Sequence, residues 1–144
     1  MGSKAGERDS LRPSHCVERL REAADARDWE LLRSHCHPDA RLVLRMTEGA
    51  ALALDDAIAV LRADAEAGAY EPTHYYIGDL DESAAIAVGS VMGPHDQKPK
   101  HLCWLLTFRD GLLYRQVLCE TSNEAEELYG EKGLELGIPP GPDA

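Results

Sequence analysis

The stretch from Lys100 to Glu127 constrains this chain more than any other. It holds an apolar strand, Lys100–Phe108, the tripeptide Arg109-Asp110-Gly111, a second strand, Leu112–Thr121, and then the acidic run Asn123-Glu124-Ala125-Glu126-Glu127. Two apolar runs flanking an Asp-Gly dipeptide make a β-hairpin. The hairpin reads as the closing pair of a small curved sheet whose concave side holds a pocket. Turn length fixes which side chains share a face, because successive residues point to opposite sides of a strand. A three-residue loop pairs Phe108 with Leu112 and sets Leu102, Trp104, Leu106 and Phe108 beside Tyr114, Gln116, Leu118 and Glu120. A two-residue loop instead puts Arg115, Val117 and Cys119 on the Trp104 face, and that face is the more uniformly apolar.

Upstream, Pro13-Ser14 opens a helix with Val17, Leu20, Ala23 and Ala24 on one face. Asp28 caps a short second helix carrying Trp29, Leu31, Leu32 and Cys36, and Pro38-Asp39 ends it. Ala40–Met46 reads as a strand with Leu42 and Leu44 on one face. Thr47–Ala53 is a loop, and Asp55 caps the longest helix, Asp56–Ala67, whose stripe is Ala57, Ile58, Leu61 and Ala65, with Gly68 as its end. Four antiparallel strands follow, at Thr73–Leu80, Ala84–Met92, Lys100–Phe108 and Leu112–Thr121, with Gly93–Pro99 as a loop between the pairs. A last helix covers Glu124–Tyr129. Residues 1–12 are expected to form a disordered arm, 13–136 one domain, and 137–144 a flexible tail. Helices gathered against one face of an antiparallel sheet define an α+β domain.

At 144 residues the chain suits a single domain. A net charge of −11 repels phosphate backbones and anionic lipid, so no nucleic acid and no membrane is expected as partner. No apolar run approaches the roughly 20 residues of a membrane span. The start lacks the apolar core of a signal peptide, so the expected location is cytoplasmic. Cys16, Cys36, Cys103 and Cys119 are scattered through helix-like and strand-like segments and read as reduced thiols, Cys103 and Cys119 on strands as buried and inert ones. His35-Cys36-His37 invites a zinc reading, but adjacent residues point apart and no carboxylate completes the set, so no metal is expected. No dinucleotide, nucleotide or nucleophile-elbow motif is present, and no cofactor is expected.

The element order, together with Asp28-Trp29, Pro38-Asp39-Ala40, Phe108-Arg109-Asp110-Gly111 and Glu124-Ala125, resembles the nuclear transport factor 2-like superfamily, and within it the SnoaL-like, polyketide cyclase-like proteins of bacteria, over residues 15–135. The resemblance implies a cone: a bent antiparallel sheet wrapped around a long helix, the cystatin-like or ketosteroid isomerase-like roll, often a homodimer through the outer face of the sheet. The family's hairpins keep the Trp104 position inward with Gln116, which selects the three-residue loop. On that register Trp104, Leu106 and Phe108 form an apolar wall, with Tyr114, Gln116 and Glu120 as its polar groups, a lining suited to a small hydrophobic molecule. His101, Cys103, Leu105, Thr107, Leu113, Val117 and Cys119 then face outward, too apolar for water and so suited to a homodimer interface.

Glu120 is the acid–base candidate, since a carboxylate beside an apolar wall has its pKa raised. His74, which the resemblance places near the cavity, is its partner; Asp79, five residues on, falls on the opposite face of a regular strand. The positions matching the ketosteroid isomerase donor, base and second acid fall on Leu20, Leu44 and Trp104, none of which can move a proton, so that activity is not expected. The resemblance thus leaves two functions open: an acid–base cyclase, isomerase or dehydratase acting on a polyketide- or terpenoid-like substrate, and a ligand-binding or accessory domain without chemistry.

Overall fold

The computed structural model describes residues 12–44, 51–67, 73–91, 98 and 100–136. The expected arm apart from Arg12, the helix-ending Gly68, most of the Gly93–Pro99 loop and the tail from Gly137 lie outside the described residues. In chain order the elements are α1 (Pro13–Asp25), α2 (Trp29–Ser34), β1 (Cys36–Leu42), β2 (Leu52–Ala53), α3 (Leu54–Ala67), β3 (Thr73–Asp79), β4 (Ala84–Val91), β5 (Lys100–Arg109), β6 (Leu112–Cys119), α4 (Ser122–Lys132) and a 3₁₀ turn (Gly133–Glu135). The six strands form one sheet in the order β2-β1-β6-β5-β4-β3. This is the expected α+β domain, with two differences.

The first lies in β1, which pairs parallel with β6, while every other pair in the sheet is antiparallel. It begins at Cys36, ahead of the expected Ala40. Pro38-Asp39 sits inside the strand, where the register slips between Cys36↔Leu113 and Arg41↔Arg115. Proline has no N–H to give a ladder, so an irregular stretch of this kind is where a strand tolerates it. The second difference is that the helices do not all lie on one face. The α1, α2 and α3 helices bury Val17, Leu20, Ala23, Leu32, Ala57 and Ile58 against Trp104, Leu106, Phe108 and Leu113. On the other face α4 and the 3₁₀ turn bury Ala125 and Leu136 against Ile86, Cys103, Leu105 and Cys119.

That second layer corrects the ground for a homodimer. Leu105 and Cys103, read as an outward apolar set in need of a second copy, are already covered by this chain's own C-terminal helix. Leu113, expected outward as well, packs in the inner cluster. The helix that covers them starts earlier than its acidic run suggests. Thr121 accepts the Glu124 N–H on its hydroxyl, and the Glu124 carboxylate accepts the Glu120 N–H in return. Thr121-Ser122-Asn123-Glu124 has the capping-box pattern, a signal the sequence carried, with the carboxylate bonded to the N–H one residue ahead of the cap.

The hairpin turn is the two-residue one. Arg109 pairs with Leu112 and Phe108 with Leu113, around Asp110 at φ 54° and Gly111 at φ 77°. Two consecutive positive φ values are the requirement of a type I′ turn, which Asp-Gly satisfies at little cost. The register then shifts: Thr107 pairs with Arg115, leaving Tyr114 as an extra residue in β6. This bulge restores the pairing Leu106↔Gln116 and Trp104↔Leu118. The turn is one residue shorter than the expected loop, yet Trp104, Leu106, Gln116 and Leu118 share a face as expected, because one extra residue reverses the parity of everything beyond it.

The central helix α1 lies across β3, β4 and β5. Its N-terminus has no side-chain cap from Arg12. Asp79 at the end of β3 supplies one instead: its carboxylate accepts the Ser14 N–H at 2.7 Å and the Ser14 hydroxyl at 3.1 Å. A carboxylate at this end also complements the helix dipole. Beneath the helix, β4 offers Ala85 and Ala87, both fully buried, on the rungs of Leu106 and Trp104. Side chains this small let helix and sheet approach. Asp79→Ala should therefore cost about 1 kcal/mol, as loss of a cap does, and Ala87→Leu about 1–3 kcal/mol by overpacking. Urea denaturation checks both, and an unchanged midpoint for Ala87→Leu would contradict the packing described here.

Candidate functional site

The inner face can be followed rung by rung across the sheet. One rung runs Leu42, Gln116, Leu106, Ala85, Asp79; the next runs Leu118, Trp104, Ala87, Ile77; the third runs Leu102, Gly89. Burial falls in the same direction. Leu42 and Leu106 are sealed beneath the helices, whereas Leu118, Ile77 and Leu102 are only half-buried. The α1 N-terminus is pinned at the first-rung end, through Ser14 to Asp79 and through the Cys16 thiol to the Gly111 carbonyl. The opposite end of the face, around Leu102 and Leu118, is the less covered one. Leu44 and Leu61, also half-buried, pack against the same cluster. Trp104, Gln116, Leu118 and Leu102 share this less covered end of the inner face.

The residues singled out from sequence divide accordingly. Trp104, Leu106 and Phe108 take the inner face, though Leu106 and Phe108 are core side chains under α1 rather than an open wall. Gln116 is on the same face and partly exposed. Glu120 lies beyond the end of β6 and is exposed, its backbone N–H serving the α4 cap. That exposure differs from the burial against an apolar wall that the acid–base argument assumed. The His74 backbone pairs with Gly89 on the third rung, and the register shifts between His74 and Tyr76. The strand between the His74 and Asp79 positions is therefore not regular. They remain apart, four β4 residues or roughly 13 Å along the sheet, and Asp79 is committed to Ser14.

Tyr114 is the clearest correction. As the extra residue of the bulge it leaves the inner face and joins a polar cluster that sequence reasoning missed. Its hydroxyl donates to the Glu135 carboxylate at 3.0 Å. Its ring lies between the Arg109 and Arg115 guanidinium groups, at 4.1 and 3.8 Å from the centroid, with the His37 ring edge-on at 5.3 Å. Stacked cations are attracted by the negative face of the ring. Glu135 also accepts from Arg109 and Arg115, and Arg115 donates to the Asp39 carbonyl in β1. The buried Thr107 hydroxyl donates to the Leu134 carbonyl beside it. The 3₁₀ turn is thereby latched onto β5, β6 and β1. Nothing in the sequence spacing signals this, since Glu135 reaches its partners only through the fold.

His35 occupies the C-cap of α2, and His37 accepts the Asp39 N–H on Nδ1. Among the described residues no group of three or more His, Cys, Asp and Glu side chains is arranged to hold a metal. All four cysteines are buried. Burial pushes the Cys36 thiol up to about 12, and burial reinforced by the Glu124 charge lifts Cys103 to about 11 and Cys119 to about 12. A separate open groove of about 410 Å3 lies at the junction of α2, β1, β2 and α3, lined by Arg33, Cys36, Pro38, Ala53, Leu54 and Asp55, with Arg33 and Asp55 paired across it. None of the candidate catalytic or substrate-binding residues lines it. No described helix is long and apolar enough to cross a membrane.

Comparison with known proteins agrees with this architecture. No family model and no curated protein matches the sequence. Solved structures do match in fold. A candidate polyketide cyclase of Sinorhizobium meliloti is 24% identical, with a TM-score of 0.59 over 72% of this chain and 93% of that one. A candidate ketosteroid isomerase of Kribbella flavida is 16% identical, with a TM-score of 0.60 over 76% of each chain. A nuclear transport factor 2-like protein of unknown function from Cytophaga hutchinsonii is 5% identical, with a TM-score of 0.60 over 76% and 90%. At these identities the likeness is one of fold: the chain has the nuclear transport factor 2-like fold that its sequence pattern resembled. The three positions matching the isomerase machinery carry Leu20 and Trp104, both in the apolar cluster, and Leu44 against it.

The latch predicts a specific weakness. Glu135→Ala should cost about 1 kcal/mol, a modest figure because Glu135 is half exposed to solvent, and should speed amide exchange in α4 and the 3₁₀ turn while leaving α1 unaffected. Hydrogen exchange read by mass spectrometry checks this, and uniform behaviour of α1 and α4 would show that Glu135 holds nothing in place.

Proposed function

We propose that this chain is a small-molecule-binding domain whose ligand is a hydrophobic, aromatic or polycyclic compound held at the mouth formed by Trp104, Leu102, Leu118 and Gln116. The observation that carries this reading is the inner-face gradient, in which apolar side chains that are sealed at the α1 end are only half-buried at Leu102 and Leu118. An apolar lining with a single convergent amide suits recognition by burial, with one hydrogen bond to orient the ligand. It suits acid–base turnover less well, because Glu120 is exposed past the strand end and Tyr114 is bonded to Glu135 on the other side of the sheet. A cyclase or isomerase reading would have to rest on His74, at its register position opposite Gly89. The names of the structural neighbours support a small-organic-molecule site in general and do not choose between the two readings.

Magnitudes agree with a binding role. A ligand covering roughly 200 Å2 of apolar surface gains about 5 kcal/mol. Association costs offset much of that, so micromolar affinity needs the Gln116 amide as well. The test is a titration of a polycyclic aromatic probe, followed by Trp104 fluorescence in a Trp29→Phe background. Leu118→Glu should abolish binding with far-ultraviolet circular dichroism unchanged. Gln116→Leu should weaken it about tenfold, the worth of one hydrogen bond, and Glu120→Gln should leave it unaltered. Affinity that survives Leu118→Glu but is lost in Leu54→Glu would move the site to the groove beside Arg33 and Asp55.

A further inference from the structure

On the outer face of the β5–β6 ladder, Cys103 and Cys119 stand directly opposite one another. Opposed residues of an antiparallel pair have Cα atoms about 4.5–5.5 Å apart, within the roughly 4.4–6.8 Å that a disulfide spans. Both side chains lie in one cluster with Ile86, Leu105, Ala125 and Leu136. The other two cysteines are elsewhere, on the helix side of the sheet: the Cys16 thiol donates to the Gly111 carbonyl and the Cys36 thiol to the Leu32 carbonyl. The fold thus sorts four scattered cysteines into one cross-strand couple and two thiols with backbone partners.

We propose that Cys103 and Cys119 are a reversible dithiol–disulfide couple, a cross-strand staple beneath α4 formed by exchange with a low-molecular-weight disulfide such as oxidised glutathione. Exchange proceeds through thiolates. One cysteine thiolate attacks a sulfur of oxidised glutathione, forming a mixed disulfide and releasing one glutathione thiolate. The second cysteine thiolate attacks the protein sulfur of that mixed disulfide, which forms the Cys103–Cys119 bond and releases the second glutathione. The two cysteine protons end on the two glutathione thiols, and the protein couple is oxidised as glutathione is reduced.

Access is governed by α4. In the closed state both thiols are 1% exposed, with Ala125 packed in their cluster and the Glu124 charge disfavouring either thiolate. The helix is capped at Thr121, two residues after Cys119, so lifting its first turn removes cover and charge together. Openings of this kind are local and occur without global unfolding. The couple therefore responds to sustained oxidising conditions rather than to brief ones.

The test equilibrates the full chain in native buffer with oxidised glutathione, blocks remaining thiols after unfolding, and maps the peptides by mass. The expected product has lost two hydrogens, joins Cys103 to Cys119, leaves Cys16 and Cys36 both alkylated, and returns to four alkylatable thiols with dithiothreitol. Its unfolding midpoint should lie several degrees above that of the reduced protein, as a staple constrains the unfolded chain, and Cys119→Ser should show neither the link nor the shift. Four free thiols at equilibrium, a glutathione retained on either cysteine, a link to Cys16 or Cys36, or an oxidised protein no more stable than the reduced one would overturn the proposal. The wild-type peptide map decides the matter even if the serine variant fails to fold.

Discussion

The extra residue at Tyr114 governs the two faces of the β5–β6 ladder, and through them the division of the molecule into layers. The type I′ turn at Asp110-Gly111 alone would carry Arg115, Val117 and Cys119 to the helix side, placing a charge in the inner cluster. The bulge reverses that parity one residue past Leu113. Gln116 and Leu118 then meet Leu106 and Trp104 inside, while Arg115 goes outside with Thr107. A buried unpaired guanidinium would cost several kcal/mol, so the bulge avoids a large penalty in exchange for one irregular rung. It also frees Tyr114 to stack between two arginines, where its hydroxyl meets Glu135.

Each face then follows its own logic. Inside, α1 settles onto Ala85 and Ala87 and is fixed at its N-terminal end by Asp79. Sealing is consequently tight near Leu42 and Leu106 and relaxed near Leu102 and Leu118. The less covered end of the face is thus the one away from the helix anchor. Outside, α4 and the 3₁₀ turn cover what would otherwise be an apolar sheet face, held by the Thr121 cap, the Tyr129 hydroxyl donating to Asp81, and the Glu135 latch. The cross-strand cysteines lie under that cover, so any chemistry they have is tied to its opening.

What the sequence determined by itself were the elements and their class. Helical spacing from Val17 to Ala23, the Asp28 cap, the Ala57–Leu61 stripe and four alternating strands place nearly every element and make an α+β domain, because periodicity and capping are local properties of neighbouring residues. The family resemblance also placed Trp104 and Gln116 on a common face, and the strand positions of Cys103 and Cys119 marked those two thiols as buried. Tertiary structure alone decided the rest. A bulge carries no local signature, so the position of Tyr114 was hidden. Pro38 could lie within β1 only because a partner strand tolerated the irregularity. The outer apolar set could be covered by this chain or by another, and only the docking of α4 chose. Glu120 and Glu135 are alike in sequence, each a glutamate near an apolar residue. One is solvated and the other ties two arginines and a tyrosine together, since what a carboxylate does is set by neighbours brought from β1, β5 and β6 rather than by its own place in the chain.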